Sequence, residues 1–277
     1  MKMKQKTIKN KITFSGIGLH SGLKVNIAIL PNDNGIIFKR IDKNEIIIPL
    51  CNNVINTQLG TTIANSNGIK VLTIEHLMAA LWACDIDNAI IEIDNEETPI
   101  MDGSAEKFIQ EIKKAGIQEL KNEREYLQLD KEIEIVDGDK FIKYIPDNNF
   151  SIEMTVDFSY GNIGKQQHFF DGKQETFIND IAKARTFCNK NEIEYMQQHG
   201  LAKGGSLENA MVFDDKGIIN EGGFRTKNEV VKHKILDCVG DLLTTGYFVK
   251  GKIIANKSGH TLHNAFAKKL LEEFKTK

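Results

Sequence analysis

Two short segments far apart in the chain, Thr73-Ile74-Glu75-His76-Leu77 and Lys232-His233-Lys234-Ile235-Leu236-Asp237, carry side chains that can act together only if the fold joins them. In the second, His233 and Asp237 stand four residues apart in a helix-like run, which at about 3.6 residues per turn places both on one face. They offer two metal ligands. With His76 as a third, the set matches a zinc site with three protein ligands and one open position, the arrangement expected of a hydrolase, and Glu75 is an adjacent carboxylate for handling protons.

Each element also has a plainer reading. A histidine at the start of an apolar helix is more often structural or on the surface, and a His/Asp pair at this spacing also forms simple surface hydrogen bonds. The helical stripe continues one turn to Asp241, a partner for another histidine. In Asn256-Lys257-Ser258-Gly259-His260, a predicted strand-to-helix loop, Gly259 allows close backbone approach and His260 sits where a general acid can be held. Lys183-Ala184-Arg185-Thr186-Phe187 offers a hydroxyl and an aromatic to orient a substrate, or else is a helix end with a core phenylalanine.

The 277 residues, 41% of them hydrophobic, suffice for a substantial core and suggest two domains. With 36 basic against 38 acidic side chains the net charge is -2, so no global field favours nucleic acid or an anionic membrane. Cys51, Cys84, Cys188 and Cys238 contain no Cys-x-x-Cys pair, and no apolar signal segment opens the chain, which points to a reducing cytoplasm. No run approaches the roughly 20 apolar residues that span a bilayer.

Periodicity divides the chain in two. Strand-like alternation over Lys11–Leu50 precedes a helix over Thr73–Ala83, a strand at Ala89–Ile93 and a helix to Lys114 capped by Ser104, with Gly116 past its end. The charged stretch Lys121-Asn122-Glu123-Arg124-Glu125 reads as a connection. Beyond it come a hairpin around Asp137-Gly138, a strand at Ser151–Val156 and a helix over Thr176–Ala184. Met211-Val212-Phe213 and Gly217-Ile218-Ile219 flank a turn. Last are a helix over Glu229–Leu243, a strand at Lys252–Ala255 and a terminal helix over Thr261–Phe274. The expected domains are 1–122, carrying Glu75 and His76, and 126–277, carrying His233, Asp237 and His260. No internal repeat is visible residue by residue.

Taken in order, Ser15-Gly16-Ile17-Gly18-Leu19-His20-Ser21-Gly22, Thr73-Ile74-Glu75-His76-Leu77, Pro99-Ile100-Met101-Asp102-Gly103-Ser104, Ala184-Arg185-Thr186-Phe187, Lys232-His233-Lys234-Ile235-Leu236-Asp237 and Ser258-Gly259-His260 closely resemble the signatures of the UDP-3-O-acyl-N-acetylglucosamine deacetylases, zinc amidases of lipid A biosynthesis in Gram-negative bacteria. The resemblance runs from about Lys4 to the final helix. It implies an α+β fold of two related domains, each a helix layer on a mainly antiparallel sheet, with the active site at the domain interface.

By motif position the resemblance makes His76, His233 and Asp237 the ligands of one catalytic zinc ion and Glu75 the base. His260 becomes the acid, with Asp241 holding its ring; Thr186 becomes the donor to the oxyanion, and Lys234 and Phe187 become substrate contacts. The implied substrate is a small nucleotide-sugar glycolipid precursor, handled by a cytoplasmic monomer with no nucleic-acid partner and no stable membrane insertion. Asn189–Met211, with Ile193, Tyr195, Met196 and Leu201, corresponds to where the family forms an acyl passage; by itself it reads as an amphipathic helix. The chain departs from many relatives in His263, where they carry asparagine and where a solvent-facing ring is the simplest expectation, and in Thr61 and Thr62, where some carry a cysteine near the site. Two rivals stand beside this: a zinc amidase or peptidase for another substrate, and a non-catalytic sugar-nucleotide or lipid-binding protein with a structural metal.

Overall fold

The computed structural model describes residues 3–276; Met1, Lys2 and Lys277, at the outer ends of the two expected domains, lie outside the described residues. Alternation in Lys24-Val25-Asn26-Ile27-Ala28-Ile29 becomes a strand, Lys24–Pro31, that buries Val25, Ile27 and Ile29 on one side. It belongs to a five-stranded sheet ordered Ile12–Ile17, Lys24–Pro31, Ala89–Ile93, Ile36–Arg40, Glu45–Ile47. Neighbours are antiparallel except Ile36–Arg40 beside Ala89–Ile93.

The second half builds the same arrangement from Ile133–Asp137, Lys140–Ile145, Gly251–Asn256, Phe150–Phe158 and Gly164–Phe170. Its parallel pair is Phe150–Phe158 beside Gly251–Asn256. In both halves two hairpins come first in the chain, and a strand that follows a helix inserts between them. The halves thus share one α+β topology that is not visible as a residue-level repeat, because strand order is set by pairing and not by identical side chains.

Among the described residues six α-helices accompany the sheets: α1 (Glu75–Ala83), α2 (Glu106–Ala115), α3 (Gln174–Thr176), α4 (Lys190–Gln198), α5 (Glu229–Leu243) and α6 (His260–Lys275). Helix α2 is amphipathic, burying Phe108, Ile109, Ile112 and Ala115. The N-cap position falls on Ala105 and not on Ser104, but Ser104, one residue earlier, still accepts the Glu106 N–H at 3.2 Å, and Gly116 ends the helix at φ 76°. All nine residues of α1 are buried, as is nearly all of α5, which marks both as central helices. They meet backbone to backbone: a methyl group on Gly240 of α5 would collide with the carbonyl oxygen of Glu75. One helix from each half is thereby held where the candidate ligands lie.

The two halves share one core. Trp82, the single tryptophan, reaches from α1 into the second half, with ring centroids 5.6 Å from Phe150, 5.9 Å from Phe170, 5.5 Å from Phe177 and 6.2 Å from Phe248. Such aromatic clusters combine large buried area with favourable edge-to-face geometry. Trp82→Ala should cost about 3–5 kcal/mol of stability, read as a lower denaturant midpoint. An unchanged midpoint would mean that the halves do not depend on this contact.

Two local expectations need correction. The charged run Lys121–Glu125 is not a plain connection: Ile117–Glu123 is a strand antiparallel to Lys4–Ile8. Arg124 is buried, with Nε 2.6 Å from Asp87 Oδ1 and its guanidinium 3.8 Å from the centre of the Phe248 ring. Asp85 and Asp87 supply the charge that lets an arginine enter the interior. The helix expected over Thr176–Ala184 is instead α3 followed by a π turn, Phe177–Ile181, in which Ala182 N–H donates to Phe177 O at 2.8 Å. That widened turn buries both Phe177 and Ile181.

Candidate active site

Helix α1 begins with Glu75 and His76, just after a strained residue. Thr73 has φ 57°, a left-handed conformation that a β-branched residue adopts only when its surroundings enforce it. Its hydroxyl donates to Glu97 Oε1 at 3.0 Å, and its carbonyl accepts the Thr98 hydroxyl. Across from it, α5 presents His233, Asp237 and Asp241 on one stripe, four residues apart each time.

The structure brings His76, His233 and Asp237 together. Asp237 Oδ1 lies 3.6 Å from His76 Nε2 and 3.4 Å from His233 Nε2, and the two imidazole rings cross at 87° with centroids 5.0 Å apart. Asp237 Oδ1 is buried with no hydrogen-bond partner. An orphaned carboxylate oxygen is costly in a protein interior unless a cation satisfies it. Metal–ligand bonds of about 2.1 Å in a tetrahedron separate the ligand atoms by about 3.4 Å, the spacing that these atoms show. The three residues therefore fit a divalent transition metal.

The electrostatics agree. Burial pushes His233 down to about 3, so it is neutral with a free lone pair, and its Nδ1, 3.1 Å from Ala184 O, donates there and leaves Nε2 for the site. For Asp237, burial acts to raise its pKa, but the surrounding cations, among them Lys234 with Nζ at 2.6 Å, hold it well below the usual carboxylate range. Burial raises Glu75, whose Oε2 accepts the Thr61 backbone N–H at 2.9 Å.

His260 opens α6, with Nε2 3.7 Å from Asp237 Oδ2 and Nδ1 2.8 Å from Asp241 Oδ2. Burial opposes its charge, yet the Asp241 and Asp237 carboxylates prevail and lift it to about 9. Asp241 in turn is pushed up by burial but held at about 2, chiefly by His260. A protonated imidazole, His260, and a buried carboxylate, Glu75, thus line the same cavity as the candidate ligands.

These groups belong to the wall of a cavity of about 750 Å³ whose lining includes Glu75, His76, His233, Asp237 and His260. Thr186 also lines it, fixed by backbone bonds of 2.8 Å from its N–H to Gly103 O and from Met211 N–H to its carbonyl. Gly103 can sit there because it has φ 82° and no side chain to meet Asn209 O. Phe187 packs its ring edge-on to His233 at 6.0 Å, and Lys234 borders the cavity while bonded to Asp237. Arg185, from the same motif as Thr186, is buried against Glu229 at 2.8 Å and serves packing.

The lining also includes the apolar residues Phe158, Tyr160, Ile193, Met196 and Val212, alongside charged ones such as Lys140, Lys190, Glu192 and Lys257. Of the four apolar residues noted in Asn189–Met211, Ile193 and Met196 of α4 face the cavity. Tyr195, on the other side of that helix, is 62% exposed, and Leu201 does not line the cavity.

Three residues stand closer to the site than the sequence suggested. Thr61 joins the halves, donating its backbone N–H to Glu75 and its hydroxyl to Asp241 Oδ1 at 2.6 Å. His20 lines the cavity, its loop held by the Glu97 carboxylate, which accepts the backbone N–H groups of His20 at 2.8 Å and Ser21 at 2.7 Å. His263 does not face solvent: it is fully buried, with Nδ1 2.8 Å from Asp241 Oδ2, because it lies one turn after His260 on the face of α6 turned towards α5.

A family model for UDP-3-O-acyl N-acetylglycosamine deacetylase matches residues 5–272 of the chain. The chain belongs to this deacetylase family. Relatives named UDP-3-O-acyl-N-acetylglucosamine deacetylase include one from Citrifermentans bemidjiense, 46% identical over 97% of this chain and 89% of the relative. Another from Histophilus somni is 44% identical over 98% and 90%, and one from Nautilia profundicola is 44% identical over 98% and 93%. The deacetylase family is a metalloenzyme family, in keeping with the buried His76, His233 and Asp237 group.

Proposed function

We propose that this chain hydrolyses the N-acetyl group of UDP-3-O-acyl-N-acetylglucosamine, releasing acetate and the free 2-amine, the committed step of lipid A biosynthesis. Its membership of the deacetylase family supports the reaction. The observation that carries the chemistry is that Glu75 and His260 line the same cavity as the His76, His233 and Asp237 group. We take 1–122 and 126–277 as the domains, one zinc ion as the cofactor, and a cytoplasmic monomer as the working form. No helix among the described residues is long and apolar enough to cross a membrane.

His76, His233 and Asp237 would hold the zinc ion, which would supply Lewis acidity towards the acetamide carbonyl and make the attacking water more acidic. Glu75 accepts a proton from the water as it attacks the acetyl carbon; its anchored Oε2 fixes the carboxylate while the side chain faces the cavity. His260, held through Nδ1 by Asp241, steadies the oxyanion with its charge. As the C–N bond breaks, its Nε2 gives a proton to the leaving amine. Thr186 donates to the same oxyanion, and Lys234 and Phe187 contact the sugar nucleotide beside the ligands. The apolar residues of the cavity wall receive the acyl chain.

Turnover of the acylated sugar nucleotide, set against simple N-acetyl sugars and N-acetyl peptides, tests the substrate. Strong preference for the first is expected, and equal turnover of all three would overturn it. The site also sets a pH profile. Activity rises as Glu75 loses its proton, at a pH above the ordinary carboxylate range because burial raises it, and falls as His260 loses its proton near pH 9. A bell-shaped kcat/KM profile is therefore expected, and His260→Ala should abolish its alkaline limb. An alkaline limb that persists in the variant would assign it elsewhere.

A further inference from the structure

Asp241 receives more donors than a link to His260 requires. Its Oδ2 accepts from His260 Nδ1 and from His263 Nδ1, both at 2.8 Å, while Oδ1 accepts the Thr61 hydroxyl at 2.6 Å. His263 is wholly enclosed, and its other ring nitrogen, Nε2, lies 3.0 Å from Ser258 Oγ. An ionised carboxylate can only accept, so His263 carries its hydrogen on Nδ1; Nε2 then accepts the Ser258 hydroxyl. Both nitrogens are satisfied and the ring is locked in one tautomer.

His260 and His263, three residues apart on α6, approach one oxygen of a carboxylate carried by α5. Two donors meeting at one atom fix the carboxylate in two directions. Without His263, the Thr61 hydroxyl would still hold Oδ1, but Oδ2 would be held from the His260 side alone, leaving the aspartate's broad terminal torsion freer to turn and the His260 ring to turn with it. A histidine that merely filled the core would have no reason to share its acceptor with the ring that lines the cavity.

We infer that His263, braced by Ser258, is a positioning residue for deacetylation: it pins Asp241 in the orientation that aims His260 Nε2 into the cavity. This rests on the assignment of His260 as the proton donor. Loss of a partner that orients a catalytic group through hydrogen bonds costs about 10–100-fold in activity. Substrate binding and the metal ligands are not held by this contact.

Replacement by leucine and by asparagine separates positioning from filling. The amide nitrogen of asparagine stands where Nδ1 stood and can donate to Asp241, whereas leucine cannot. For His263→Leu, kcat on the acylated sugar nucleotide should fall about 10- to 100-fold with KM and bound metal near parental values. His263→Asn should recover most of that loss. In a His260→Ala background, His263→Leu should add no further loss, because it acts through the ring already removed.

Parental kcat in His263→Leu, equal impairment of the leucine and asparagine variants, or multiplied losses in the double variant would each overturn the inference. Full activity in His260→Ala alone would instead remove the proton-donor assignment beneath it. Should His263→Leu fail to fold, as judged by metal content and melting temperature, Ser258→Ala carries the test, since it frees Nε2 of His263. A lower kcat at unchanged KM is expected there, and an unchanged kcat overturns the inference.

Discussion

His260→Ala should leave bound metal near the parental level while lowering kcat by about two orders of magnitude or more. His260 is not one of the three grouped ligands, and its Nε2 lies 3.7 Å from Asp237 Oδ2, so its removal should leave His76, His233 and Asp237 in place. What disappears is a cation in the cavity wall, held protonated to about pH 9 against its burial by Asp241 and Asp237. Without it an amine leaves as a poor, unprotonated group and the oxyanion loses a charge partner. Single-turnover kinetics with metal analysis on the same sample reads both effects; full turnover by the variant would sink the acid assignment.

The same pair links catalysis to stability. The folded pKa of His260 is raised from 6.5 to about 9, so its stabilising contribution is complete below pH 6.5 and lost as pH rises through 9. Asp241 is depressed from 3.8 to about 2, so its contribution is present above 3.8 and lost as pH falls through 2. Between these limits the ion pair is intact.

His233→Ala should have the opposite signature to His260→Ala, lowering bound metal and activity together. His233 is neutral, oriented by Ala184 O and aimed by Nε2 at the orphaned Oδ1 of Asp237. Loss of a partner behind a ligand already costs about 10–100-fold in metal affinity or activity, and loss of the ligand itself should exceed that. Metal analysis after dialysis, compared with turnover, is the check. A variant that retains full metal but is inactive would move His233 from ligand to another role.

What the sequence made legible follows from how each feature is encoded. The His233, Asp237 and Asp241 stripe is a local matter of helical period, and α5 has the bounds that periodicity predicts, Glu229–Leu243. The strand Gly164–Phe170 escaped notice because Gly-Lys-Gln-Gln-His-Phe-Phe lacks apolar alternation; pairing with Phe150–Phe158 makes it a strand. Arg124 sits in a stretch that reads as a connection because its partners, Asp85 and Asp87, lie nearly forty positions earlier.

At the site, Thr61 and His20 left no periodic trace, since one acts through a backbone N–H and a hydroxyl and the other through a loop held by Glu97. His263 was different. It belongs to the buried stripe that continues through Phe266, Ala267 and Leu270, a helical spacing that the expectation of a solvent-facing ring left out of account.

The most direct measurement is acetate release from UDP-N-acetylglucosamine with and without a 3-O-acyl chain, each assayed in the presence and absence of a chelator. Release that requires the acyl chain, stops with the chelator and returns on adding zinc is the predicted result. Release indifferent to the chelator, or equal for the acylated and unacylated substrates, would contradict it.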